Sequence, residues 1–346
     1  MNRYIQIFSF LLLLAVFAGA LTSCSLVDED LDECRYEYRL RFKFDYNVSG
    51  GDAFASQVTS VRAWIYDQEG NFVTSVSDSG DALKEPGYSL PVSVPAGTYD
   101  VVVWCGVETG STFQLTTAAL QPSMTSLGVD LRLTQTRANE EYDCHTWLTP
   151  LFHGYVKGRE LTAPEGQHST QYIDVPLVKD TNHIGISLVQ ISGQPIGLAD
   201  FLFTIEAENS QLAWNNDVLP GRKFNYYPAA TTVADGVNVG PAGTSTTSLY
   251  GILAEFSTSR LMADRRPVLS IKRMTDGKEI IRIDLVNYLL WAKGQYNSQW
   301  SAQEYLDRVD DYSITFFCDK NMDWYLAGGV IINGWTMVPE QDFPAL

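Results

Sequence analysis

Apolar and polar positions alternate from Tyr36 to Tyr46. Tyr36, Tyr38, Leu40, Phe42, Phe44 and Tyr46 take one parity, and Glu37, Arg39, Arg41, Lys43 and Asp45 the other. A period of two sends the two sets to opposite faces, which predicts a half-buried strand with one wet face. The run VRAWIYDQEGNFVTSV predicts a hairpin, two aromatic and β-branched arms around Asp67-Gln68-Glu69-Gly70-Asn71. YSLPVSV and TYDVVVWCGV predict two further strands joined by the tight turn Pro95-Ala96-Gly97. Strands are also expected at 127–133, 151–157 and 170–178.

The second half repeats this pattern. HIGISLVQISG opens it after the polar Lys179-Asp180-Thr181-Asn182, which places a domain boundary near 178. Strands are predicted at about 201–207, 222–227, 248–256, 268–273 and 279–285, with a hairpin around Asp276-Gly277. Composition makes 228–247, PAATTVADGVNVGPAGTSTT, a flexible surface loop. Two short helices are expected late in the chain. LVNYLLWAKGQY has apolar residues at helical spacing, and Ser301-Ala302-Gln303-Glu304 is a capping box opening AQEYLDR. YSITFFC and WYLAGGVIINGWTMV close the fold as strands. Many short strands with hardly any helix predict an all-β protein built as an antiparallel sandwich.

One apolar run does not fit a sandwich. Tyr4 to Ala20 is almost wholly apolar, follows Arg3, and ends at Leu21-Thr22-Ser23-Cys24. A charged start, an apolar middle and small residues before a cysteine form a bacterial lipoprotein signal, with Cys24 as the lipidated residue. A transmembrane anchor is the competing reading, because the run is close to the shortest that spans a bilayer. Several acyl chains on Cys24 would fix the protein to a membrane, since each buried methylene contributes about 0.8 kcal/mol. Asp28, Glu29, Asp30, Asp32 and Glu33 follow within nine residues of that cysteine. A dense acidic run beside an anionic surface is repelled from it, so 24–34 is expected to be a solvated tether.

Removing the 23-residue leader leaves 323 residues, enough for two domains, and takes the formal charge from −17 to −18. That balance opposes nucleic acid or an anionic membrane face as a partner. Four cysteines remain. Outside the cytoplasm they permit three full pairings, and sequence does not choose among them. Cys34 and Cys144 sit in polar, loop-like surroundings and are the preferred pair, while Cys105 and Cys318 end apolar runs and read as buried thiols.

Catalytic signals are weak. His145, His153, His168 and His183 show no paired ligand spacing, and Cys144 with His145 and His153 reads as a loop cysteine and ordinary histidines rather than a metal site. No Gly-x-Ser-x-Gly elbow, phosphate loop or CxxC is present. Asp310-Asp311 suits a solvated turn better than glycoside hydrolysis. Trp64 and Trp104 fall in strands and are expected in the core, with Trp214, Trp291, Trp300 and Trp335 left open. No cofactor, metal or catalytic residue is assigned.

Sheet edges then become the working part, because an edge strand offers unpaired amides and carbonyls that another chain can complete. Two segments are long enough, 36–46 and 324–338. In the second, Val330, Ile332 and Gly334 alternate with Ile331, Asn333 and Trp335. Both segments being ordinary internal strands is the alternative.

The acidic run after Cys24 resembles the sorting signal that Bacteroidota lipoproteins carry, which implies export to the outer face of the outer membrane. With YRLRFKFDYN, VRAWIYDQEGNFV, PAGTYDVVVWCG, LFHG, DTNHIGISLVQISG, STSRLMAD, IDLVNYLL, SAQEYLDR and VIINGW in order, nearly the whole chain resembles the FimB-type fimbrial anchor lipoprotein family. It departs where Arg35 follows Cys34, a place where the family would have proline. The resemblance implies two tandem transthyretin-like β-sandwich domains, 35–178 and 179–346, the second with one or two short helices. It also implies a lipid-anchored surface subunit at the base of a strand-exchange (type V) pilus, contributing to adhesion through the assembled fibre. Its partners would be a stalk subunit, the outer membrane and a host or bacterial surface ligand reached through the pilus. Within this frame the expected donor lies in 324–346, centred on Val330, Ile331, Ile332, Asn333, Gly334 and Trp335. The competing function is a surface glycan-binding lipoprotein of a polysaccharide-uptake system.

Overall fold

The computed structural model describes residues 37–132, 135–136, 142–162, 170–239 and 247–337. The described residues within 38–162 and 172–337 belong to one compact unit. The first half contributes β1 (Glu37–Lys43), β2 (Ser60–Tyr66), β3 (Phe72–Ser79), β4 (Leu90–Val92), β5 (Gly97–Cys105), β6 (Phe113–Leu115), β7 (Gly128–Leu131), β8 (Gln135–Thr136), β9 (Tyr142–Cys144), β10 (Phe152–Leu161) and β11 (Thr170–Lys179). The second contributes β12 (Thr181–Gln190), β13 (Phe201–Ala207), β14 (Gln211–Ala213), β15 (Phe224–Tyr226), β16 (Ala230–Val239), β17 (Thr247–Ser259), β18 (Val268–Arg273), β19 (Glu279–Asp284), β20 (Asp311–Cys318), β21 (Val330–Ile332) and β22 (Trp335–Met337). The fold is all-β, as the alternation predicts.

A seven-stranded sheet runs β3-β2-β5-β10-β11-β1-β4, and its two end strands lie against each other. Its centre is covered on both faces. In β5, Val101, Val103 and Cys105 join one core with Tyr38, Leu40 and Phe42 of β1, while Val102 and Trp104 join the other. That double burial is why VVVWC, Val101 to Cys105, reads as a continuous apolar run rather than an alternating one. β1 has only one buried face, so its alternation survives: Tyr38, Leu40 and Phe42 are buried while Glu37, Arg41 and Lys43 are exposed.

Two six-stranded sheets carry the second core, ordered β16-β17-β12-β20-β21-β22 and β19-β18-β13-β15-β9-β8, with a small sheet β14-β7-β6 beside them. Ile184, Ile186 and Leu188 of β12 meet Phe203 and Ile205 of β13 in this core. Burying a side chain of this size contributes about 1.5–3 kcal/mol. The sheets are mixed rather than purely antiparallel: β12 runs parallel to β20 and β15 parallel to β9. Parallel neighbours need long crossovers, and the stretch from 190 to 311 supplies one.

The expected break at 178 falls where β11 gives way to β12, with Asp180 between them. The halves interlock there, since β9 and β8 join a sheet of the second half and β14 pairs with β7 of the first. The predicted loop 228–247 is corrected over its described part. Residues 230–239 form β16, whose Thr, Val and Ala residues suit a strand paired to β17, with a register shift between Ala234 and Val237 where Asp235-Gly236 interrupts it. The helical stretch 285–296 divides into α1 (Leu285–Trp291) and a single turn, Lys293–Tyr296. Of the predicted capping box only the serine half forms, because the Glu304 carboxylate turns to Arg308 instead of back to Ser301 N. Ser301 Oγ accepts from Glu304 N at 3.0 Å and opens α2 (Ala302–Arg308), which Arg308 braces by donating to Glu304 at 2.9 Å.

A buried polar junction sits where the halves meet. Arg260 donates to both oxygens of Asp307 at 2.9 and 3.0 Å and lies 3.6 Å from Asp180. Asp180 Oδ1 accepts from Asn216 Nδ2 at 2.8 Å, and its backbone N–H donates to Leu151 O at 2.8 Å. Gln303 donates to Asp307 and to the carbonyl of Leu261, tying α2 to the β17–β18 connection.

Candidate functional site

Cys24, the tether and Cys34 lie outside the described residues, as do His168 and the tail from 338. Of the two candidate edges, 36–46 is corrected: β1 is interior, with β11 on one side and β4 on the other. Its wet-face arginines reach sideways to both neighbours. Arg39 donates to Ser89 Oγ and O at 2.7 and 2.6 Å, while Arg41 forks onto Asp174 at 2.7 and 3.1 Å and lies over the Tyr172 ring. Beyond the strand, Arg308 of α2 covers the ring of Tyr46 at 4.0 Å. Sequence alternation identified the strand but could not report its neighbours.

The second candidate, residues 330–335, folds as a hairpin rather than one strand. Val330 pairs with Met337 and Ile332 with Trp335, leaving Asn333-Gly334 as the two-residue turn. Both turn residues have positive φ, 50° and 82°, the conformation for which Asn-Gly is favoured. The turn is pinned to the sheet. Asn333 N donates to Ser313 O at 2.8 Å, Ser313 N donates to Asn333 Oδ1 at 2.7 Å, and Asn333 Nδ2 donates to Tyr296 Oη at 2.8 Å. β21 in turn pairs with β20 through Ile332–Ile314 and Ile331–Thr315. Val330 and Ile332 are fully buried, whereas Trp335 is 48% exposed on the outermost strand of its sheet.

The ends of the three larger sheets differ in how they meet solvent. β4 has three residues including Pro91, β3 carries Asp78, β16 has its register shift, β19 carries the Glu279–Arg282 ion pair, and β8 has two residues. Proline, charge and irregularity are the devices that keep edges from pairing with foreign strands. β22, Trp335-Thr336-Met337, is as short as β4 but has no proline, charge or register shift, and leads into the C-terminal residues. The NG dipeptide was the sequence signal for this hairpin, and reading through it as a strand missed the turn.

The remaining candidates settle into the fold. Cys105, Cys144 and Cys318 are free, buried thiols. Cys144 is 3% exposed at the end of β9, against the expected loop-like setting, and its expected partner Cys34 lies outside the described residues. Burial pushes all three thiols up, Cys318 to about 12. His153 is buried against Trp104 and donates from Nε2 to Trp214 O at 2.8 Å. Burial lowers its pKa to about 4. His145 stacks on Tyr227. Trp64 and Trp104 are in the core as expected, while Trp214, Trp291 and Trp300 are partly buried against it. Asp310 and Asp311 are not a free turn: Asp310 pairs with Lys179, and Asp311 with His183.

Comparison with known proteins gives a consistent picture. The sequence profile of the fimbrillin-A associated anchor proteins Mfa1 and Mfa2 matches residues 31–340. Among curated protein sequences none matches. Among solved structures, a proposed adhesin from Bacteroides thetaiotaomicron shares 29% identity and superposes with a TM-score of 0.75, over 90% of this chain and 100% of that one. A second B. thetaiotaomicron structure, described as a proposed polysaccharide-binding protein, shares 24% identity with a TM-score of 0.71, covering 89% and 99%. The fimbrial anchor protein Mfa2 of Porphyromonas gingivalis shares the fold at 16% identity, with a TM-score of 0.61 and coverage of 88% and 99%.

Proposed function

The chain belongs to the family of fimbrillin-A associated anchor proteins, and on that premise we propose that it is the membrane-anchored base subunit of a pilus. Membership supports a cell-surface, fimbrial role of a structural rather than catalytic kind. Among the described residues no helix is long and apolar enough to cross a membrane. The proposed attachment is lipid on Cys24, followed by the acidic tether and then β1. The fibre is joined at the other end of the chain, where 324–346 contributes a strand to the first stalk subunit and the β21–β22 hairpin, Val330 to Trp335, is the joining line.

The observation that carries this reading is β22, an outermost strand without charge, proline or register shift. Adding a strand there, or unfolding the hairpin to lend one, uses main-chain hydrogen bonds for affinity and alternate side chains for fit. Unfolding costs the burial of Val330 and Ile332, about 1.5–3 kcal/mol each, which the partner's groove would return.

The test uses whole cells. Ile332→Pro, or deletion of 339–346, is expected to release fibres into the medium while the protein stays in the membrane fraction. Cys24→Ser is expected to release protein and fibres together. Fibres retained in both joining variants would remove the C-terminal donor from the scheme, and retention in the Cys24 variant would remove the lipid anchor.

A further inference from the structure

Trp147 is 45% exposed, yet its loop is held at several points. Leu148 is buried beside it and donates its N–H to Ser257 Oγ at 3.2 Å. Thr149 N donates to Thr112 Oγ1 at 2.8 Å, and Thr112 N donates back to Thr149 Oγ1 at 3.1 Å. The indole is thus presented on a fixed backbone, with the His183 ring 5.4 Å away. It forms one wall of a cleft of about 300 Å³ whose other walls carry Lys179, Asn182, Asp310 and Asp311.

The polar groups in this cleft hold one another and are braced from outside by Glu255 and Gln57. His183 Nδ1 donates to Asp311 Oδ1 at 2.8 Å, while its Nε2 lies 3.4 Å from Glu255. Asp311 remains 77% exposed despite that contact. Lys179 is held between Asp310 and Gln57. A flat aromatic surface beside a few fixed hydrogen-bonding groups is the make-up of a small-molecule site, and the volume is at the lower end of the usual range of about 300–1,000 Å³.

We propose that this cleft binds a neutral sugar residue, with the apolar C–H face of the ring on Trp147 and neighbouring hydroxyls donating to Asp311. The chemistry selects among ligands. Two carboxylates of the lining, Asp310 and Asp311, stand against Lys179 and His183, and Glu255 lies behind His183, so an anionic ligand meets repulsion and a sialic or uronic acid is refused. A purely apolar ligand would strip water from the same carboxylates without replacing its hydrogen bonds, which is costly. A sugar hydroxyl restores those bonds, and the indole gains the C–H contact. The cleft does not include β22, although Ser313 of the strand that carries Asp311 also holds the Asn333-Gly334 turn.

The mature chain, labelled with 5-fluorotryptophan, is titrated with mannose, galactose, glucose and N-acetylglucosamine, short neutral oligosaccharides built from them, sialyllactose and a lysine-arginine peptide. The expected result is a shift confined to one ¹⁹F line, assigned to Trp147 by its loss in Trp147→Phe, with neutral sugars and not with sialyllactose. Trp147→Ala is expected to weaken binding at least about tenfold, Trp147→Phe less, and Asp311→Asn measurably. Unchanged spectra of the other tryptophans show that each variant is folded. No shift with any neutral sugar overturns the proposal. So does binding that survives Trp147→Ala, or a response at Trp147 to the basic peptide alone.

Discussion

Arg260 grips Asp307 through three nitrogen–oxygen contacts, 3.1 Å from Nε and 2.9 and 3.0 Å from Nη2, with the arginine side chain 11% and the aspartate 9% exposed. The same guanidinium is the cation nearest to Asp180, 3.6 Å away and fully buried. One positive charge therefore serves two buried carboxylates. Taking the cation away leaves both stranded in a low dielectric, and breaking a buried pair in this way costs about 3–5 kcal/mol. Arg260→Ala is expected to lower stability by that amount in urea unfolding, with Arg260→Lys recovering part, because an ammonium cannot contact both Asp307 oxygens in the same fork.

The pH dependence of this junction has a defined sign. Burial, opposed by Arg260 and the Asn216 hydrogen bond, raises the Asp180 carboxyl from 3.8 to about 7. Between those values the folded state keeps a proton that the unfolded state has released, so the contribution of Asp180 weakens as pH rises through the window. Asp180→Asn removes this term. Its stability relative to the parent is expected to improve steadily from pH 4 to pH 7 and then level off, measured as a difference in melting temperature across buffers. A difference that is flat with pH would show that Asp180 titrates normally.

His153 acts in the opposite direction. Burial lowers its imidazole from 6.5 to about 4, so on acidification through that interval the unfolded chain binds a proton that the folded chain refuses. Its contribution is complete above 6.5 and is lost as pH falls toward 4. His153→Gln keeps a donor for the Trp214 carbonyl and is expected to gain on the parent as pH is lowered from 6.5 to 4. The two residues therefore partly cancel in the parent, and only the difference curves reveal them.

The turn at Gly334 has open space where a Cβ would point, and its φ is +82°. Gly334→Ala meets no clash, so its cost is the backbone conformation alone, about 1–2 kcal/mol. Because that cost falls on the hairpin, amide exchange at Ile332 and Trp335 is expected to accelerate by roughly 5- to 30-fold while the β12 amides keep their rates. Equal acceleration everywhere would mean that the hairpin opens only with the whole fold.

Cys105, Cys144 and Cys318 are shielded and their thiols are pushed up, so little thiolate is present at neutral pH. Iodoacetamide at pH 8 is expected to leave all three unmodified in the folded protein and to label them after denaturation, as read by intact mass.

Much of this architecture was legible because alternation is strong wherever one sheet face is wet, as in β1. It failed where the rule changes. Residues 230–239 carry Asp235-Gly236 and Asn238 among Thr, Ala and Val and read as loop, yet pairing with β17 makes them a strand. In 330–337 a period of two runs across the Asn333-Gly334 turn without a break, so one strand and a tight hairpin give nearly the same pattern. Cys144 sits in a polar sequence but in a buried place, because β15 lies beside it. The Trp147 cleft had no signal at all: its parts come from residues 147, 179, 183 and 310–311, and the parallel pairing of β12 with β20 sets His183 opposite Asp311.

The seating of β1 between two neighbours also bears on how the molecule takes a load. A leash leaving the N-terminus is moored through two rows of main-chain bonds at once, with Arg39 and Arg41 as cross-ties on either flank. A strand at the rim would have one row and could be stripped away bond by bond. Tension applied at that end is instead shared across the width of the sheet, where both flanks hold β1.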